Sequence, residues 1–193
     1  MTYLVAGLVI FLGIHSVGIV APRWREATVA RLGDTTWKAL FALLSVIGFV
    51  MLVHGYGVAR LDPQVLYYPP AWMRHVAAVV MLPVFPLLVA TYLPGRIKAA
   101  VKHPMLAATK AWAVAHLLVN GTVADVLLFG GFLVWAVADR IAAGRRTVER
   151  RTPAAPTSRW NDLLAIVIGL ALYALFVGGL HQWLFGVAPM LPR

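Results

Sequence analysis

Cysteine is absent from the 193 residues. Its absence excludes disulfides, iron–sulfur clusters, thiolate metal ligation and a cysteine nucleophile. Charge is scarce as well. Only 12% of the chain is Asp, Glu, Lys or Arg, about half the share of an ordinary soluble domain. Carboxylates are the rarest charged groups, seven against seventeen Lys and Arg, which argues against a carboxylate-rich metal centre. A basic n-region is also missing. The chain opens "MTY" and no A-x-A-like site precedes Pro22, so the first apolar run reads as a retained helix rather than a cleaved signal.

Apolar residues fill the space. They make up 61% of the chain, and the mean hydropathy is +0.81. A bilayer core about 30 Å thick needs roughly 20 such residues in one helix. Runs of that kind predict spans at about 3–20, 38–57, 72–92, 104–119, 123–139 and 163–187. The expected fold is therefore all-α: one polytopic transmembrane bundle over 1–193, of about six helices, or five if the short fourth run lies in the interface. Asn120-Gly121-Thr122 supplies a tight turn between the fourth and fifth runs. Pro83 and Pro86 predict a kink in the third.

The basic residues divide unevenly between the two sets of loops. Thirteen of the seventeen (Arg23, Arg25, Arg31, Lys38, Arg96, Lys98, Lys102, Arg140, Arg145, Arg146, Arg150, Arg151 and Arg159) fall in one set, against three in the other. By the positive-inside rule that set is cytoplasmic, and both termini are non-cytoplasmic. The net charge of +10 thus reports membrane orientation, not nucleic-acid binding, since no basic stripe with interleaved aromatics is present. The segment 144–158, "GRRTVERRTPAAPTS", reads as a flexible basic cytoplasmic loop in contact with anionic lipid. Trp37, Tyr56, Tyr67, Tyr68, Trp72, Tyr92 and Trp183 lie near span ends, as interfacial anchors do.

Histidine is the residue out of place. His15 sits in "FLGIHSVGIVAP", where an imidazole without a hydrogen bond costs roughly 2–7 kcal/mol. Counting about 1.5 Å per residue, His15 and His116 lie deep in the bilayer and His54 is shallower. His75 and His181 fall at the outer rim, and His103 at the inner one. Buried ionisable residues in a membrane mark function by default. A neutral imidazole is a good ligand that brings no net charge into lipid, and two of them facing across a bundle suit a b-type haem. Depth alone leaves His54 and His15 both open as partners of His116. Asp125 opens the fifth span near the level of His116. It reads either as a carboxylate accepting that ring's second N–H or as a helix-start acid favoured by the dipole. Gly13, Ser16 and Gly18, with Gly178 and Gly179, permit close approach of another helix or of a flat ring.

The stretch "FLGIHSVGIVAPRWREATVARLGDTTWKALFALLSVIGFVMLVHGYGVAR", followed by "KHPMLAATKAWAVAHLLVNG", resembles the NnrU family of bacterial membrane proteins from about residue 8 to residue 140. The His-Ser element, the WK helix opening, the His-Gly-Tyr-Gly end and the HP…AH pair stand in family order. The resemblance implies a multi-pass protein of the bacterial inner membrane, linked to denitrification through nitrite or nitric oxide reductase function. Respiratory or denitrification proteins would be its partners.

The family also holds the plastid 15-cis-ζ-carotene isomerase, a haem b enzyme whose ligand elements match His15 and His116. This implies haem b with iron on those two residues, His54, His103 and Asp125 around the cofactor, and a hydrophobic polyene as a candidate substrate. The chain departs from relatives at Lys102-His103-Pro104-Met105 and has no cysteine near these elements, so haem binding carries over better than isomerisation. Two other classes stand beside this reading. One is a non-catalytic assembly or partner-binding protein. The other is an isoprenylcysteine-type methyltransferase, suggested by Lys102-His103-Pro104, although the acidic-aromatic motif of those enzymes is missing.

Overall fold

The computed structural model describes residues 1–145 and 154–190. Of the basic segment 144–158, residues 146–153 lie outside the described residues. Among the described residues every long element is helical, and the extended pairing is a single bridge between Val65 and Thr122. Among the described residues, five helical segments are long and apolar enough to cross a membrane: Thr2–Val20, Asp34–Ala59, Met73–Tyr92, Val123–Arg145 and Asn161–Phe185. The expected fourth span is a helix of 14 residues, Pro104–Leu117, short of the roughly 20 a crossing requires.

The chain divides into two compact units, Met1–Tyr67 with Gly121–Ala142, and Tyr68–Asn120 with Ala143–Arg193. In the first, α1 (Thr2–Val20) packs along α3 (Asp34–Ala59). Glycine makes that contact close. A Cβ on Gly48 would stand 2.7 Å from the Phe11 nitrogen, and one on Gly7 or Gly55 would collide with the backbone of Leu52 or Leu4. Lipid offers no hydrophobic drive between helices, so close backbone approach is what holds such a pair. The small residues that make the contact are thus Gly7, Gly48 and Gly55; a Cβ on Gly13, Gly178 or Gly179 would meet nothing within 4 Å.

Between them lies α2 (Pro22–Leu32), a helix where the sequence suggests only a basic loop. Pro22 sits at its start, a position that needs no N–H. Trp24 on this helix meets Trp37 edge to face, and Arg25 lies over the Trp37 ring. Trp37 is consequently buried, whereas Tyr68, Trp72, Tyr92 and Trp183 are exposed as anchors should be.

The first unit is completed by α8 (Val123–Arg145) as far as Ala142. The chain enters it through a small knot. The N–H groups of Leu66 and Tyr67 donate to the Gly121 carbonyl at 2.7 and 3.1 Å, and Val123 N–H donates to Gln64.

In the second unit, α4 (Met73–Met81) and α5 (Val84–Tyr92) are the two halves of one span, broken at Leu82-Pro83 as the prolines require. The short α6 (Arg96–Val101) leads to α7 (Pro104–Leu117), which packs against α4 and α5. The last span runs as α9 (Asn161–Leu175), a kink at Gly179 within Phe176–Leu180, and α10 (His181–Phe185).

Polar anchors tie the ends of this unit. Asp162 accepts from the N–H groups of Arg96 and Ile97 at 2.9 and 3.0 Å. The Asn161 amide donates to the carbonyls of Pro94 and Pro156. Tyr173 donates to the Ala78 carbonyl at 3.0 Å. Gly169 lets α9 lie directly on Pro86.

Candidate functional site: two sets of prepared histidines

Within the first unit, His15 is half-buried in a ring of aromatic side chains. Phe11 stacks on it with centroids 4.3 Å apart, Phe41 meets it at 4.9 Å, and Trp135 stands at 88° to it with centroids 6.0 Å apart. Phe132 extends the cluster through Phe11. The helical spacing explains the set. Phe11 and His15 lie one turn apart on α1, and Phe132 and Trp135 share a face of α8.

His15 Nδ1 lies 2.7 Å from the Phe11 carbonyl. A carbonyl only accepts, so Nδ1 carries the proton and Nε2 keeps the lone pair. That is the tautomer and the kind of outer bond a ligating histidine uses. The neighbouring hydroxyls are spent locally, Ser16 on Leu12 and Ser45 on Phe41. The indole N–H of Trp135 is buried and has no acceptor among the described residues.

His116, in the second unit, is prepared in the same way. Its Nδ1 donates to the Trp112 carbonyl one turn back, at 2.8 Å, and Trp112 packs beside the ring. A backbone carbonyl thus accepts the Nδ1 proton of His116.

Beside it stands a residue that sequence reasoning missed. The His181 ring lies 6.3 Å from that of His116, centre to centre, and within 27° of parallel. Its Nδ1 donates to the Val187 carbonyl at 2.7 Å. The cause is local. Gly179 takes φ 151, which breaks the helical run two residues before His181, and only glycine adopts that angle without strain. The pair Gly178-Gly179 is the sequence signal that could have found it.

His54 and His103 are placed differently. His54 is exposed, with Tyr3 against its edge. His103 is the residue at which α7 starts, and its ring makes no cap bond there. Lys102 before it takes φ 63, the one non-glycine residue with a positive φ among those described, and so turns the chain from α6 into α7. Neither ring shows the Nδ1-to-carbonyl bond that His15, His116 and His181 share.

Asp125 is only 3% exposed. Its carboxylate accepts from Tyr56 Oη at 2.5 Å, from Thr122 N–H at 2.9 Å and from Thr122 Oγ1 at 2.6 Å, while its own N–H donates back to Thr122. This is a capping box at the start of α8, joined to α3 through Tyr56. Tyr56 therefore ties α3 to the start of α8. Tyr67, in the loop beside it, has its phenol pushed above the ordinary value, first by burial and then by the Asp125 charge. Among the described residues no three His, Asp or Glu side chains gather as a metal site of their own.

A protein-family model described as "NnrU protein" matches residues 3–189. No curated protein and no solved structure matches the chain.

Proposed function

This chain belongs to the NnrU family, and on that premise we propose that it is a haem b-binding protein of the bacterial inner membrane, with both termini on the non-cytoplasmic side and His15 and His116 as iron ligands. Choosing these two residues rests on the family resemblance. What the structure contributes is the preparation of each ring within its own unit. In both, Nδ1 is bonded to the carbonyl one turn back, the kind of outer bond a ligating imidazole uses. That shared device is the observation that carries the reading.

The surroundings suit the group. Phe11, Phe41 and Phe132 offer an apolar lining for a largely apolar macrocycle, and the Trp135 N–H is buried with no partner among the described residues. Bound there, haem supplies a one-electron redox centre. The residues orient it: Phe11 and Trp112 fix the two imidazoles through their carbonyls, and Asp125 holds the start of α8, the helix that carries Trp135.

Two activities come with the resemblance, support of nitrite or nitric oxide reductase function and cis–trans isomerisation of a hydrophobic polyene. Both need the cofactor, so the cofactor is the first thing to test. Protein purified from haem-replete membranes should show a Soret band and, on reduction, the sharp α and β bands of low-spin iron. A colourless protein that binds S-adenosylmethionine would replace the reading with a methyltransferase. A colourless protein that binds neither would replace it with an assembly subunit.

A second reading of the ligand set has one observation behind it. Two imidazoles on opposite sides of one metal ion, with metal–nitrogen bonds of about 2 Å, have ring centres roughly 6 Å apart. His116 and His181 stand at that separation, but as stacked rings, so this reading requires both imidazoles to turn until a nitrogen of each points at the metal. On this reading His181 takes the place given to His15.

A further inference from the structure

The helix α2 (Pro22–Leu32) has no buried residue, yet the chain cannot carry it away from the membrane. Ala21 alone joins it to α1 and Gly33 alone joins it to α3, and both of those helices are long and apolar enough to cross a bilayer. A helix of 11 residues tied so closely at both ends lies along the surface where the two spans emerge.

Its two faces differ. Arg25, Thr28 and Val29 are half-buried, and Arg25 lies over the Trp37 ring. Arg23, Ala27 and Arg31 follow one another at intervals of four on the other face, with Trp24 beside them, and all four are exposed. Neither the Arg23 nor the Arg31 guanidinium has an ion pair or hydrogen bond among the described residues. The one carboxylate on the helix, Glu26, pairs with none of its arginines.

Neither water nor hydrocarbon suits this face by itself. Water leaves Trp24 and Leu32 uncovered, at 58% and 46% exposure, and hydrocarbon strips the guanidinium groups of their hydration. The headgroup boundary takes both, seating the aromatic ring while the arginines extend to polar groups. Two uncompensated positive charges there call for an anion, and the planar guanidinium fork matches the oxygens of a phosphate.

We propose that the outer face of α2 binds anionic phospholipid, with Arg23 and Arg31 each holding a headgroup phosphate and Trp24 seated between them at the edge of the acyl chains. The two arginines stand about 12 Å apart along the helix axis, so each takes its own headgroup. Nothing in this depends on haem. The lipid fixes the surface helix that joins α1 to α3, the pair whose glycine contact builds the first unit.

The chain has no cysteine, so Ala27→Cys, on the proposed face, accepts a single fluorophore in the full-length protein. The labelled protein is reconstituted in phosphatidylcholine vesicles and titrated with phosphatidylglycerol or phosphatidylcholine carrying the same nitroxide near the top of an acyl chain. The mole fraction of quencher that halves the signal should be roughly fivefold or more lower for phosphatidylglycerol, the scale of one basic residue's attraction to an anionic leaflet. In Arg23→Gln/Arg31→Gln the two lipids should quench alike. Equal quenching with the native arginines, or a preference that survives their removal, overturns the proposal. Quenching by neither lipid overturns it too, and assigns the face to a second copy or another protein. If the double variant does not fold, salt decides on the labelled protein with native arginines: raising ionic strength well above the physiological range must shrink the preference, and an undiminished preference overturns the proposal.

Discussion

The rings of His116 and His181 face each other 6.3 Å apart, centre to centre, with their planes 27° from parallel, and each has its Nδ1 bonded to a backbone carbonyl. His116 is therefore not an isolated imidazole in its unit, and its neighbour decides between the two ligand sets. If iron lies on His15 and His116, His181→Ala leaves a six-coordinate low-spin spectrum, with the reduction potential altered by loss of the adjacent ring, and His15→Ala turns the iron high-spin. Absorption and electron paramagnetic resonance spectra of the two variants check this. High-spin iron in His181→Ala with low-spin iron in His15→Ala would move the ligands to the His116–His181 pair.

Asp125 is expected to act on stability rather than on the cofactor. Its carboxylate gathers Tyr56 and both donors of Thr122. Asp125→Ala removes the capping box, worth about 1 kcal/mol, and a hydrogen bond to a charged group, worth about 1.5–3 kcal/mol. Thermal denaturation in detergent should show a clear fall in midpoint, Tyr56→Phe a smaller one, and neither should change the iron spectrum. A spectrum that shifts while the midpoint stays put would return Asp125 to the neighbourhood of the iron.

The fold of the first unit depends on a backbone contact that tolerates no side chain. Gly48→Val would press a Cβ against the Phe11 backbone, and overpacking of this kind costs on the order of 1–3 kcal/mol. Because Phe11 stacks on His15 and accepts its Nδ1 proton, the same change should lower haem retention. Gly13→Ala, on the same helix, faces open space and should leave both melting point and haem content as they are. Equal effects of the two substitutions would contradict the packing account.

The spans were legible because a bilayer imposes its thickness on the sequence. Apolar runs bounded by Arg23, Lys38, Arg60 and Arg96 had to be helices, and Pro83 had to break the third. The basic helix α2 was not legible by hydropathy, since its stabilising features are Pro22 at its start and the meeting of Trp24 with Trp37. Depth counting singled out His15 and His116, but it could not see what their Nδ1 atoms do. A bond to the carbonyl one turn back depends on a rotamer, and rotamers are not written in spacing. His181 was passed over for a related reason. Its position depends on the φ of Gly179, whereas residue counting assumes an unbroken helix. Nothing in the spacing marked Trp135, whose buried nitrogen has no partner among the described residues.

Haem stoichiometry tests the two-histidine iron site most directly. The pyridine haemochrome assay on purified wild type and His116→Ala, both expressed with ample haem supply, measures it. Stoichiometric haem in the wild type, and little or none in a folded His116→Ala, is the predicted result. Wild-type protein without haem, or a His116→Ala variant that retains the full complement, would contradict it.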